Sequence, residues 1–103
     1  MLKLSIVIPI YNERETLETL IAKVNAVDYD KEILLIDDFS TDGTREILKN
    51  YENKENFQVL YHNRNQGKGA ALRTGFSNVN GDIIIIQDAD LEYNPADYGT
   101  LIE

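Results

Sequence analysis

Four apolar runs stand out from an otherwise mixed sequence: Leu4 to Ile8, Ile33 to Ile36, Phe57 to Tyr61, and Ile83 to Ile86. The first, second and fourth are nearly continuous and rich in Ile, Val and Leu. Unbroken runs of this length suit strands buried on both faces, as in a parallel sheet, whereas a half-exposed strand alternates. Between them the apolar spacing becomes helical. Leu17, Leu20, Ile21 and Val24 form one such stripe; Ile47, Leu48 and Tyr51 mark a second helix after "STDGT"; Ala71, Leu72, Gly75 and Phe76 mark a third after "QGKG". Asn12 with Glu15 has the spacing of a capping box that opens the first helix. Asn94 and Pro95 read as the N-cap and first position of a fourth helix.

Strand and helix therefore alternate along the chain. That order predicts right-handed βαβ crossovers and an α/β fold: a Rossmann-like three-layer αβα arrangement with a mainly parallel open sheet. Ligands of such sheets bind outside the carboxyl ends of the strands, near the point where strand order reverses. The polar motifs obey this rule. "PIYNE" ends the first strand, "DDFSTDGT" the second, "HNRNQGKG" the third and "QDADLE" the fourth. Four polar clusters are expected to converge on one edge of the sheet.

Composition narrows what they bind. The 103 residues fit one domain or part of one, and acidic residues outnumber basic ones 18 to 10, for a net charge of -8. A nucleic-acid backbone is excluded as the main partner, because it calls for a basic face. The acidity suits a divalent cation, or simply a solvated surface. There is no cysteine, so disulfides and thiolate metal sites are excluded. No apolar run approaches the roughly 20 residues of a membrane-spanning helix. The opening "MLKLSIVIP" reads as a strand rather than a secretory signal, which makes a cytoplasmic setting the expectation.

Taken singly, the motifs are ambiguous. Gly67 and Gly69 flank Lys68 and would let the backbone approach a phosphate, yet a Walker loop fails because His62 and Gly69 stand where it needs Gly and Ser or Thr. A dinucleotide fingerprint fails at Leu72. Asp37 and Asp38 end a buried strand and should face opposite ways, so that one ties down local amides while the other accepts from a ligand. Asp88 and Asp90 fall on one side of a continuing strand, with Glu92 next in that series. Like charges so placed call for protonation, hydrogen bonds, or a hard cation such as Mg²⁺ or Mn²⁺, which prefers oxygen ligands; a helix-capping turn before Pro95 is the bland alternative. Tyr11 suits either core packing or stacking on a flat base. His62, a lone histidine after a strand, reads as a loop residue without a role.

Together the motifs are more specific. "SIVIPIYNE", "LLIDDFSTDGT", "NQGKGAALRTGF" and "GDIIIIQDADLEYNP" stand in an order and at a spacing that resembles the family 2 glycosyltransferases, over essentially the whole chain. "GKGAALRTG" and "DADLEYNP" look most like the polyprenol-phosphate (dolichol-phosphate) mannosyl- and glucosyltransferase branch. The resemblance implies an inverting enzyme with part of the GT-A nucleotide-diphospho-sugar transferase fold. It implies that Pro9, Tyr11 and Glu13 line the nucleoside pocket, that Asp38 with Asp37 faces the base, and that Gly67 and Lys68 lie near the phosphates. Asp88 and Asp90 would match the family's D-x-D metal motif, with Asp88 also near the nucleotide sugar; Glu92 stands where that branch often carries Gln in the metal shell. The metal would be Mg²⁺ or Mn²⁺. A carboxylate at the base prefers a ring N–H, which uracil and guanine supply and neutral adenine and cytosine lack, so a UDP- or GDP-sugar is the expected donor.

The resemblance also implies a polyprenyl phosphate or other glycan acceptor, with membrane contact only through that lipid or through further regions. The family domain is normally about twice this length, so the expectation is one nucleotide-sugar-binding domain over 1–103, truncated at its C-terminal end, with no assignable catalytic base. Oligomeric state is left open, a homodimer being one option. The competing readings are a non-catalytic nucleotide-binding or interaction module, and a metal-dependent nucleotidyltransferase or phosphatase. Phosphatases of the D-x-D type carry their nucleophile after the first strand, where this chain has "PIYNE".

Overall fold

In a computed structural model, which describes residues 2–89, the chain alternates between strand and helix. The elements are β1 (Leu4–Ile10), α1 (Leu17–Asn25), β2 (Lys31–Asp37), α2 (Thr44–Leu48) with a 3-10 turn at Lys49–Tyr51, β3 (Phe57–Tyr61), α3 (Lys68–Phe76) and β4 (Ile83–Ile86). All neighbouring strands pair in parallel, in the order β3-β2-β1-β4. The expected Rossmann-like α/β architecture is therefore present. Asp90, Glu92 and the helix expected after Asn94 lie outside the described residues.

The strands alternate their side chains between two cores, as a pleated sheet requires. On one face, Leu4, Ile6, Ile8, Ile10, Ile33 and Leu35 pack with Leu17, Leu20, Ile21 and Val24 of α1 and Leu48 of α2. On the other, Val7, Leu34 and Ile36 pack with Ala71 of α3. The stripe read from the sequence in α1 is thus the buried one. Gly75 lets α3 approach the sheet: a Cβ there would lie 2.5 Å from Val7 Cγ1 and 3.1 Å from Ile36 Cδ1.

Two expectations are corrected. β4 is not buried on both faces among the described residues: Ile84 is 45% and Ile86 43% exposed. The reason is position, since among the described residues α3 packs chiefly against β1 and β2. Asn12 does not cap α1, whose N-cap is Thr16. Instead Asn12 takes a left-handed φ of 52° and joins two turns. Its N–H donates to Ser40 Oγ, and its Oδ1 accepts from Thr41 N at 2.8 Å.

Backbone pairing continues one residue past three strands, and this fixes the residues that follow them. Asp38 N donates to Ile10 O, His62 N to Asp37 O, and Gln87 N to Val7 O. The sheet itself thus sets Asp38, His62 and the approach to Asp88 along one edge.

Candidate functional site

The chain passes from β1 outward through β2 to β3, then crosses to β4 on the far side of β1. Strand order reverses between β1 and β4, and at their carboxyl ends the described residues enclose a cleft of ≈ 190 Å³. Pro9, Tyr11 and Glu13 enter it from the end of β1, Asp38 from the end of β2, Lys68 from the start of α3, and Asp88 from beyond β4. Six of the expected binding residues, from four separate segments, meet here. That volume is smaller than the roughly 300–1,000 Å³ of pockets that enclose a drug-sized ligand.

Asp37 does not line the cleft. It is fully buried, and its Oδ2 accepts from Arg45 Nε at 2.6 Å and from Ser40 N at 3.1 Å. The Arg45 guanidinium lies 5.2 Å from the ring centroids of both Phe39 and Tyr61, and Nη2 donates to His62 O. A planar cation held between two rings and aimed at a carboxylate is the arrangement that suits arginine. The two aspartates part as expected for neighbours on a strand: Asp37 ties α2 to the ends of β2 and β3, and Asp38 lines the cleft.

Asp38 also organises the loop before α3. Its Oδ1 accepts from Gln66 N at 2.9 Å and meets His62 Nδ1 at 2.8 Å, while Oδ2 accepts from Gly67 N at 2.8 Å. Burial works to raise its pKa, but the bonds from Gln66, His62 and Gly67 outweigh it and hold the carboxyl below its ordinary value. The two glycines beside Lys68 differ in backbone conformation. Gly67 has φ +91°, a conformation that L side chains rarely adopt, and it hands the chain into α3. Gly69 has no positive φ and, among the described residues, no close backbone neighbour.

His62 is the residue that sequence reasoning missed. It is buried, and its Nε2 lies 2.8 Å from Thr74 Oγ1 of α3. It opens the polar cluster "HNRNQGKG" at a strand's carboxyl end, and that placement was the signal that could have found it. Arg45 and Thr74 sit inside helical segments, where no local pattern distinguishes them from solvent-facing residues.

Asp88 is half-buried, and its Oδ1 is paired with Lys68 Nζ. Tyr11 stands 46% exposed at the mouth, which removes the core-packing option. Among the described residues no group of three or more His, Cys, Asp or Glu converges to hold a metal ion. Asp88 nevertheless offers the hard oxygen donor that Mg²⁺ or Mn²⁺ prefers, in the same cleft as a cationic Lys68 suited to phosphate. Asp90 and Glu92, the other expected ligands, lie outside the described residues. No helix among the described residues is long and apolar enough to cross a membrane.

A family model described as "Glycosyl transferase family 2" matches residues 5–103. Among solved structures, TarS (residues 1–349) from S. aureus in complex with UDP-GlcNAc is similar with a TM-score of 0.83 at 26% identity, over 97% of this chain and 30% of that one. The mannosyltransferase PcManGT from Pyrobaculum calidifontis, in complex with GDP-Man and Mn²⁺, follows at 0.81 and 27%, over 91% and 29%. Mannosyl-3-phosphoglycerate synthase from Rubrobacter xylanophilus gives 0.78 and 26%, over 97% and 35%. The chain spans about a third of the length of these structures.

Proposed function

The chain belongs to glycosyl transferase family 2, and we propose that its cleft binds the donor of an inverting glycosyl transfer, a UDP- or GDP-sugar. The observation that carries this reading is the convergence of Pro9, Tyr11, Glu13, Asp38, Lys68 and Asp88 at the strand-order reversal. Each residue type has work to do there. Tyr11 offers an exposed ring beside Pro9 for the flat base. Asp38 accepts a base N–H. Gly67 gives the backbone a path past the phosphates, and Lys68 supplies positive charge to them. Glu13 accepts from Thr16 Oγ1 and holds the turn below Tyr11.

Asp88, with Asp90 and Glu92, would hold Mg²⁺ or Mn²⁺, and the bound ion would stabilise negative charge on the departing diphosphate. Neighbouring structures with UDP-GlcNAc and with GDP-Man and Mn²⁺ support a nucleotide-sugar donor and a divalent ion. The finer reading is a polyprenyl phosphate acceptor, met at the cytoplasmic face of a membrane. It rests on the "GKGAALRTG" and "DADLEYNP" segments.

Titration calorimetry of UDP and GDP, with and without Mn²⁺, tests the donor site. Binding should require the ion, because Asp88 and a diphosphate repel without it. Asp38→Ala should weaken binding by about 1.5–3 kcal/mol, the scale of a hydrogen bond to a charged group. Unchanged affinity in a variant with the parent's circular dichroism would remove Asp38 from the base site, and absence of binding by both nucleotides would remove the donor reading.

A further inference from the structure

The acceptor positions of Asp38 are almost all occupied. A carboxylate only accepts, with about four lone-pair positions over its two oxygens. At Oδ1, His62 Nδ1 and Gln66 N take both; at Oδ2, Gly67 N takes one. Because a carboxylate cannot donate, Nδ1 of His62 is the donor to Asp38, and Nε2 lies 2.8 Å from the Thr74 hydroxyl. One position, on Oδ2, is left in a carboxylate that lines the cleft yet is only 4% exposed.

We infer that His62 is a specificity-determining residue: by filling the second acceptor position of Asp38 Oδ1, it leaves a carboxylate that reads one ring N–H, and so selects uracil over guanine. The inference rests on the reading of the cleft as a nucleoside-diphosphate site and adds the base and the residue that sets it. Uracil presents a single N–H between two carbonyls. Guanine presents N1–H beside a 2-amino group, a pair of donors that matches both oxygens of a carboxylate. Here the Oδ1 side holds the N–H groups of His62 and Gln66. An amino group brought against it meets donors rather than a lone pair. A buried donor that gives up water and gains no acceptor is strongly disfavoured. His62 acts through Asp38 and touches no reacting atom, so its role is positioning.

The test compares GDP with IDP, which differ only by the 2-amino group, so that base size, ribose and diphosphate cancel. Calorimetry of the protein with Mn²⁺ should show IDP binding about tenfold or more tightly than GDP, and UDP tighter than GDP. His62→Gln carries its amide toward Thr74 and leaves Oδ1 open; it should bring IDP and GDP toward parity. His62→Asn keeps a donor on Oδ1 and should preserve the gap, a contrast that a merely structural histidine would not produce. GDP binding as tightly as IDP to the parent would overturn the inference, whatever the variants' stability. So would a gap that survives His62→Gln in folded protein. Failure of all three nucleotides to bind is a different result, which overturns the donor reading and this inference with it.

Discussion

Lys68 Nζ rests on Asp88 Oδ1, so the first carboxylate of the "DAD" segment carries a cation supplied by the start of α3. The same cleft would hold a divalent ion and a diphosphate, and the three charges cannot all keep these places. A metal on Asp88 would compete with the ammonium for that oxygen, and the ammonium would turn toward the phosphates. Lys68 is 58% exposed, so the pair lies in the weak range of solvent-screened contacts, roughly 0–1 kcal/mol. Lys68→Met should therefore bind Mn²⁺ up to about fivefold more tightly without nucleotide, yet bind a nucleoside diphosphate more weakly in its presence. Opposite signs are the signature, read by calorimetry for each ligand alone and together. Movement of both affinities in one direction would dismiss the exchange.

The fold was legible because apolar period carries it. Ile33 to Ile36 and Ile83 to Ile86 could only be strands at that length, and the Leu17, Leu20, Ile21, Val24 stripe could only be one face of a helix. The cleft was legible because polar clusters at strand ends must share an edge once the sheet is parallel. Two kinds of feature were not. Asn12 satisfies the spacing of a cap, but spacing does not show that Thr41 N, far along the chain, competes for its side chain and wins. His62 and Arg45 act by tertiary hydrogen bonds to Asp38 and Asp37, and a single-residue pattern holds no trace of such partners.

The two glycines beside Lys68 should respond oppositely. Gly67 combines φ 91° with ψ 164°, a region essentially closed to residues with a Cβ. Gly67→Ala should cost about 1–3 kcal/mol of stability. Gly69 lies in the first turn of α3, where among the described residues a Cβ would meet only Arg73 Nη1 at 3.6 Å. Gly69→Ala should stabilise by up to about 0.5–1 kcal/mol, because alanine is the better helix former. Urea midpoints of the two variants check this, and a loss at both positions would mean that Gly69 meets a constraint beyond helix propensity.

Acid should unfold the protein through its buried carboxylates, even though acid also relieves the repulsion within a chain of net charge -8. Glu32 is buried at the opposite end of the sheet from the cleft, where Ser5 Oγ, Asn80 N and Asn80 Nδ2 donate to it. Burial works to raise its pKa, but these bonds and the Lys3 charge outweigh it and lower the pKa from 4.5. Asp38, which is buried, and Asp42, which is only part-buried but takes bonds from Thr44 and Arg14, are likewise lowered from 3.8. A lowered native pKa means that the unfolded chain binds more protons in the interval between the two values. The stabilisation is therefore complete above the unfolded values and is lost as pH falls below 4.5 for Glu32 and below 3.8 for the two aspartates. Relief of surface repulsion has the opposite sign but is spread over exposed, screened groups. The buried, hydrogen-bonded carboxylates should win, and the urea midpoint should fall between about pH 5 and pH 3. Glu32→Gln separates the two effects: it should be less stable than the parent at neutral pH and should lose less on acidification. A parent midpoint that holds or rises down to about pH 3 would show that general repulsion outweighs these hydrogen bonds.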